Sequence, residues 1–130
     1  MKKTILITGC VLGMLAVILG AFGAHGLKNL VDEAAIKSFE TGVRYQMYHS
    51  FFLLVLALIP DNILSSKRPI YLCVVVGVVL FSLSIYLLAL NELVNFDFKT
   101  IGIVTPIGGV FLIAAWVLML FGILKSKTQN

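Results

Sequence analysis

Four apolar stretches, at positions 5–24, 47–59, 70–90 and 103–124, cover most of the 130 residues. Three of them reach the ~20 residues that an α-helix needs to cross a ~30 Å hydrocarbon core. The second reaches that length only if it is extended backwards through the polar residues that follow Val43. The pattern predicts an all-α, polytopic membrane protein whose single domain is a bundle of four transmembrane helices, at about 5–24, 43–60, 70–90 and 103–124.

The composition agrees with surroundings that are mostly lipid. Hydrophobic residues make up 60% of the chain, charged residues make up 12%, and the mean hydropathy is +1.06. In a soluble domain a net charge of +4 would suggest binding to nucleic acid, but here the position of each charge relative to the spans carries the information. The expected surroundings are a lipid bilayer, and no nucleic acid is expected as a partner.

The basic residues are divided unequally between the two sides of a four-span arrangement. One side has six of them and a single acidic residue, and the other has four and five acidic residues. By the positive-inside rule, both termini and the loop between the second and third spans lie in the cytoplasm. The prediction is a multi-pass protein of the cell (plasma) membrane with cytoplasmic N- and C-termini. The six basic residues are Lys2, Lys3, Lys67, Arg68, Lys125 and Lys127, and the acidic residue among them is Asp61.

The segment between the first two spans, at about 27–42, has the pattern of an amphipathic helix facing outward. Asp32 is a suitable N-cap, and Ala35, Phe39 and Val43 form an apolar row at helical spacing. This helix either bends into the second span or runs continuously into it, and the sequence leaves both possibilities open.

Small residues recur at helical spacing in the first and fourth spans. In lipid, helices associate by close backbone approach rather than by hydrophobic burial, so such stripes indicate packing faces. Packing within one bundle is the favoured interpretation, and a homo-oligomer interface is the alternative. The predicted packing residues are Gly9, Gly13, Gly20, Gly108, Ala115 and Gly122.

Polar residues collect at the predicted outer ends of the helices, and they predict an outward-facing pocket with His49 near its floor. Its expected members are His25, Glu40, Arg44, Tyr45, Gln46, His49, Asn91 and Glu92, with Tyr86 and Thr105 at similar depth. Buried charges need partners, so we expect Arg44 to pair with Glu40 or Glu92. We also expect one hydrogen-bonded cluster of His25, Arg44, Tyr45, Gln46 and His49. Alternatively, the tyrosines belong to an interfacial belt and His49 is bonded across helices.

Signals of catalysis and of metal binding are missing from the sequence. It has no Gly-rich phosphate loop, no Ser/His/Asp set and no metal-ligand spacing. Cys10 and Cys73 are expected to be buried thiols rather than a disulfide, because both lie near the cytoplasmic, reducing ends of their helices. We therefore predict no catalytic residues, no enzyme activity, no metal and no cofactor.

Three motifs resemble those of a known family. They are GAFGAHGL at 20–27, FETGVRYQMYH at 39–49 and TPIGG at 105–109, followed by Trp116. In combination and order they resemble the bacterial family called domain of unknown function 423, whose eukaryotic relatives include transmembrane protein 256. Phe39 stands where that family commonly has tryptophan, and Ala115 where it often has glycine. The resemblance implies a four-helix inner-membrane protein and implies no reaction.

Two functions from different classes remain open. The first is a structural or accessory component of a membrane complex, with a larger membrane-protein partner or a second copy of the chain. The second is a solute- or proton-handling transporter or channel subunit that uses the outer pocket around His49. With four helices in one copy, a channel would have to be an oligomer.

Overall fold

The computed structural model describes residues 1–94 and 99–126, and this part of the chain is helical and contains no strand. Two short 3₁₀ helices, Asn91–Leu93 and Lys99–Ile103, lie in the connection before the last long helix. The helices are α1 (Lys2–His25), α2 (Glu33–Leu58), α3 (Arg68–Val78), a π-helical turn (Val79–Leu83), α4 (Ser84–Ala89) and α5 (Val104–Lys125).

Three helical segments of the described chain are long and apolar enough to cross a membrane, namely Lys2–His25, Arg68–Ala89 and Thr100–Lys125. They coincide with the predicted first, third and fourth spans. α2 is less apolar over the same length, because its first half carries four of the chain's charged residues and polar side chains continue through Gln46 and His49 into its second half.

α2 is one uninterrupted helix of 26 residues, which is about 39 Å long at the usual helical rise. Asp32 caps it, since the carboxylate accepts a hydrogen bond of 2.7 Å from the Ala35 N–H. The helix ends where Ile59 becomes extended before Pro60, as the proline ring requires. The segments expected at 27–42 and 43–60 therefore share one helix from Glu33, while residues 27–32 form turns before it.

The third apolar segment is helical from Arg68 to Ala89 but widens into a π-helical turn at Val79–Leu83. Ser84 stabilises the end of this turn, because its hydroxyl donates to the Phe81 carbonyl at 2.9 Å. The sequence did not predict the widened turn. It lies against α5, where the backbone of Leu80 and Phe81 approaches Gly108.

α2 occupies the middle of the bundle. It packs along α1 on one side and against α3, the π-helical turn and α4 on the other, while α5 packs along α3 and the turn. α1 and α5 are the outer helices, since only 17% of the residues in their most apolar stretches are buried, compared with 39% in Arg68–Ala89. Their exposed faces are almost wholly apolar, as expected for surfaces in contact with lipid.

The buried apolar residues form two clusters at different depths. The larger lies between α2, α3 and α5 and includes Leu53, Leu56, Val74 and Ala115. The smaller lies near the end of α1, where Leu27 and Phe39 pack against Tyr86 and Ala89. Polar side chains of α2 and the third segment occupy the region between these clusters.

The predicted small residues lie where helices approach each other. A β-carbon on Gly9 would lie 2.9 Å from the Leu54 side chain, and one on Gly13 would lie 2.8 Å from the Ser50 hydroxyl. On α5, a β-carbon on Gly122 would collide with Leu64, and Ala115 is fully buried. These residues pack within one chain, which accounts for the stripes without a second copy.

Both cysteines are free thiols, but they differ in exposure. Cys73 is half-buried against the larger cluster, whereas Cys10 is exposed on α1. The expectation that both are buried is corrected for Cys10. Its neighbour Gly9 faces α2, so Cys10, one residue further round the helix, points away from the bundle.

Candidate functional site

A buried glutamine joins three helices in the middle of the bundle. The Gln46 amide nitrogen donates to the Leu12 carbonyl of α1 at 2.9 Å, and its oxygen accepts from the Tyr86 hydroxyl of α4 at 2.7 Å. Both the Gln46 and Tyr86 side chains are buried. Each polar atom of this amide thus has a partner on a different helix, which fixes the distance of α2 from its neighbours.

Two buried serines make the same kind of link to backbone carbonyls next to small residues. Ser50 of α2 donates to the Gly9 carbonyl of α1 at 2.6 Å, and Ser82 donates to the Gly42 carbonyl of α2 at 2.8 Å. Hydrogen bonds between helices in membranes contribute about 0.6 kcal/mol on average. Their main effect here is to set the register of the helices.

His49 has a partner at each ring nitrogen. Nδ1 lies 2.7 Å from the Tyr45 carbonyl one turn earlier, and the Trp116 indole N–H of α5 donates to Nε2 at 3.2 Å. A carbonyl can only accept, so Nδ1 carries the proton and Nε2 is the acceptor. The geometry therefore fits the neutral Nδ1–H tautomer.

Protonation of His49 would place a second N–H against the Trp116 N–H. The indole nitrogen has no acceptor capacity, so the charged ring would lose this link between α2 and α5. Phe52 packs beside both rings, with its ring centroid 4.6 Å from that of Trp116. His49 is thus part of an aromatic contact that holds α5 against α2.

The structure divides the predicted outer cluster instead of joining it. Gln46 bonds towards α1 and α4, and His49 bonds towards α5, while His25 and Arg44 are exposed. No hydrogen bond among the described residues connects His25 or Arg44 to the other members. For Arg44 the reason is helical geometry, since Gln46 and His49, two and five residues further along α2, lie on the other side of the helix.

The remaining predicted members lie in the third helical segment, the connection after it and α5. Asn91 is half-buried and begins the 3₁₀ helix, and Glu92 next to it is exposed. Thr105 lies at the start of α5, where its hydroxyl is 2.6 Å from that of Ser84. This bond ties α4 to α5 at the end of the bundle.

The two charged residues of the middle motif line a small notch between α1 and α2. Glu40 and Arg44 are at its edge, and the rest of its lining is apolar, formed by Gly20, Gly23, Phe39 and Val43. The notch has a volume of about 210 Å³. Two of the three motifs that carry the family resemblance therefore meet at one surface feature.

Glu40 and Arg44 do not form an ion pair in the structure. Glu33 and Lys37 have the same spacing and do pair, with 3.6 Å between their charged atoms. In the described part of the chain no carboxylate is within ion-pair distance of Arg44. The expected pairing of Arg44 with Glu40 or Glu92 is therefore absent there. Both charges at the notch remain available to a ligand.

The opposite end of the bundle is held by a buried lysine. The Lys67 ammonium donates to the Ile59 carbonyl at 2.5 Å and to the Asp61 carboxylate at 2.8 Å. The hydrogen bond from Lys67 to the Asp61 carboxylate, together with the charge of Lys67, holds the pKa of Asp61 below its usual value. Together they close the loop between α2 and α3.

Sequence reasoning missed the serines and the tryptophan that make these links. The sequence does not single out Ser50, Ser82 or Ser84, because single hydroxyls are frequent in membrane helices and these donate to backbone carbonyls. Their positions within otherwise apolar spans were the available signal. Trp116 stands out in the sequence only as part of a motif, and its contact with His49 depends on how α5 lies relative to α2.

The helical fold, the apolar outer surface and the polar links between helices define a small all-helical membrane protein. Residues 19–109 match the family described as "Protein of unknown function (DUF423)". The chain belongs to this family, and the expected resemblance is confirmed. The family has no established activity.

Relatives of nearly the same length carry the name UPF0382 membrane protein. One is YwdK of Bacillus subtilis (strain 168), which is 35% identical over 95% of this chain and 98% of its own. Another, from Haemophilus influenzae, is 35% identical over 98% of this chain and 99% of its own. The Escherichia coli (strain K12) relative, UPF0382 inner membrane protein YgdD, is 37% identical over 99% of this chain and 95% of its own. No solved structure matches the chain.

Proposed function

We propose that this protein is a four-span accessory subunit of a cell-membrane complex, with both termini in the cytoplasm and without enzyme activity. The observation that supports the proposal is that the polar groups inside the bundle bind to each other and to the backbone. Among the described residues, every fully buried side-chain nitrogen and oxygen has a hydrogen-bond partner within the protein. A transporter needs polar groups that bind its solute, whereas these polar groups connect helices to each other.

The proposal treats α2 as the second span, in addition to the three helical segments that are apolar enough by themselves. From Tyr45 to Leu58 the helix has no Asp, Glu, Lys or Arg, and Arg44 would mark its outer boundary. A long arginine side chain can extend its guanidinium to the headgroup region while its stem stays in an apolar layer. The packing of α2 along the whole of α1 supports this arrangement.

The orientation is supported by charges that meet at one end of the bundle. Lys2, Asp61 and Arg68 line one cleft there, and Asp61 and Lys125 line a second. The cytoplasmic side of a membrane protein carries the excess of Lys and Arg. Asp97 and Lys127, which also entered the charge count from the sequence, lie outside the described residues.

The orientation can be tested by cysteine labelling from outside the cell, on a background without Cys10 and Cys73. Ser38 and Ser66 are both exposed, at opposite ends of the bundle. We expect Ser38→Cys to be modified by a membrane-impermeant maleimide and Ser66→Cys to be modified only after the membrane is opened. The reverse pattern would overturn the orientation.

The accessory role can be tested by photo-crosslinking in intact membranes. A crosslinking amino acid at Val110 or Ile113 of α5, each 65% exposed and on a helix that does not line the notch, should give one stoichiometric product with a larger membrane protein. The same amino acid at Leu53, which is fully buried, is the matched control and should give none. Products with lipid alone, or with a second copy of the chain, would contradict the accessory role.

The alternative from the sequence, solute or proton handling around His49, has weaker support. Both ring nitrogens of His49 are occupied by protein groups, and the polar residues expected around it point to different neighbours. This alternative stays a prediction.

A further inference from the structure

The notch between α1 and α2 combines an apolar lining with two exposed charged residues. Gly20, Gly23, Phe39 and Val43 give it an apolar floor, and the charges of Glu40 and Arg44 lie at its edge. On this face of α1, Gly20 and Gly23, which are three residues apart, have no side chains. A β-carbon on Gly23 would lie 2.8 Å from the Phe39 ring, so that position is closed to larger residues.

The depth of the notch fits the boundary between headgroups and acyl chains. Gly20 is five residues before His25, the last residue of α1, and is therefore about 7.5 Å along the helix from its end. Val17, one turn deeper on α1, is exposed and apolar. An acyl chain leaving the notch could continue over this surface.

The charges at the edge have opposite signs and do not neutralise each other in the described structure. A guanidinium presents a planar set of donors that matches a phosphate group, and a carboxylate accepts hydrogen bonds from a primary ammonium. A phospholipid with both groups in its headgroup would satisfy Arg44 and Glu40 together. An anionic lipid would satisfy Arg44 and leave Glu40 beside its negative charge.

We propose that the notch lined by Gly20, Gly23, Phe39, Val43, Glu40 and Arg44 binds a zwitterionic phospholipid with a primary ammonium, such as phosphatidylethanolamine, from the outer leaflet. Arg44 binds the phosphate, Glu40 binds the ammonium, and the apolar floor receives the first part of an acyl chain. Phosphatidylcholine lacks N–H donors on its ammonium, so it binds Arg44 but forms no hydrogen bond with Glu40. The preference for a primary ammonium is the specific consequence of the site.

Native mass spectrometry of the delipidated full-length protein, titrated with defined lipids in detergent, tests the proposal. We expect the wild-type protein to retain phosphatidylethanolamine about tenfold better than phosphatidylcholine or phosphatidylglycerol of the same chain length, the factor typical of one charge-assisted hydrogen bond. Glu40→Gln should abolish the preference over phosphatidylcholine. Arg44→Gln should weaken retention of all three lipids.

Glu33→Gln and Lys37→Gln are the matched controls, because they change a pair of the same spacing on the same helix outside the notch. Both should behave as wild type. Circular dichroism of each variant verifies its fold, and Arg44→Lys, which keeps the charge but not the planar donors, should give intermediate retention. Equal retention of the three lipids by the wild type, or equal losses in the control variants, would overturn the proposal.

Free phosphoethanolamine distinguishes a lipid site from a site for a soluble headgroup. We expect it not to compete at concentrations that saturate the lipid, and effective competition would overturn the lipid as the ligand. The proposal depends on α2 lying in the membrane and, for the choice of leaflet, on the proposed orientation, but not on a protein partner. Failure of the lipid experiment and failure of the crosslinking experiment are therefore distinguishable.

Discussion

Gly108→Ala is expected to lower the melting temperature of the protein in detergent far more than the same change at Gly109. A β-carbon on Gly108 would lie 2.7 Å from the Leu80 carbonyl carbon and 2.8 Å from the Phe81 Cα, and it would collide with the Phe81 nitrogen. These are backbone atoms of the π-helical turn, so no side-chain rotation can relieve the contact. Forcing extra volume into a packed interface costs about 1–3 kcal/mol, and lipid offers no hydrophobic gain to offset it.

Gly109 is the matched control because its β-carbon would meet only the Phe81 ring, at 3.8 Å. Both substitutions have the same effect on helix propensity, so the difference between them isolates the close contact. Thermal unfolding followed by circular dichroism measures this difference. Equal melting temperatures for Gly108→Ala and Gly109→Ala would show that α5 does not cross the π-helical turn as described.

The helical fold could be predicted from the sequence because its cause is local. Three uncharged stretches of about 20 residues leave few structures other than helices that cross a lipid layer. The course of α2 was harder to predict. Its charged first half and apolar second half have different surroundings, and only the Asp32 cap and Pro60 indicate that both belong to one helix.

The π-helical turn could not be predicted, because it depends on a contact between distant residues. Nothing at Val79–Leu83 differs in composition from an ordinary apolar helix. The turn is defined by its fit to Gly108, which is more than 20 residues away along the chain. Gly108 was recognised as a packing residue from its spacing, but its neighbour was not.

At the candidate site, too, the residue types could be identified from the sequence, but the directions in which their side chains point could not. The sequence identified Gln46, His49 and Arg44 as polar residues at a similar level of α2. It could not assign each one to a neighbouring helix, because that depends on how α1, α4 and α5 are arranged around α2. Fewer than two turns of α2 therefore contribute to a helix link, an aromatic contact and an exposed notch.

Lys67→Met is the second change for which we expect a large loss of stability. Lys67 is only 8% exposed, and its ammonium donates a hydrogen bond to the carbonyl of Ile59, the residue that follows α2. Methionine has a similar length and can fill the space, but it leaves the Ile59 carbonyl without a donor. Loss of a hydrogen bond from a charged group costs about 1.5–3 kcal/mol, and here it leaves a part-buried carbonyl without its partner.

Two further variants separate the contributions at this loop. Arg68→Met makes the same substitution at the next residue, which is exposed and has no ion pair among the described residues, so it should change stability little. Asp61→Asn keeps an oxygen acceptor for Lys67 and should also have a small effect, because the Asp61 side chain is 87% exposed. A Lys67→Met protein as stable as Arg68→Met would show that Lys67 does not hold the end of α2.

The pH dependence of stability should distinguish the two acceptors of Lys67. Because Lys67 lowers the pKa of Asp61 in the folded protein, the contribution of this carboxylate is present at neutral pH. It is lost as the pH falls below the usual pKa of an aspartate and through the lowered value. The bond to the Ile59 carbonyl does not titrate in this range. Wild type should therefore lose part of its advantage over Lys67→Met in acid and keep the larger part, which unfolding measured from neutral to acidic pH would reveal.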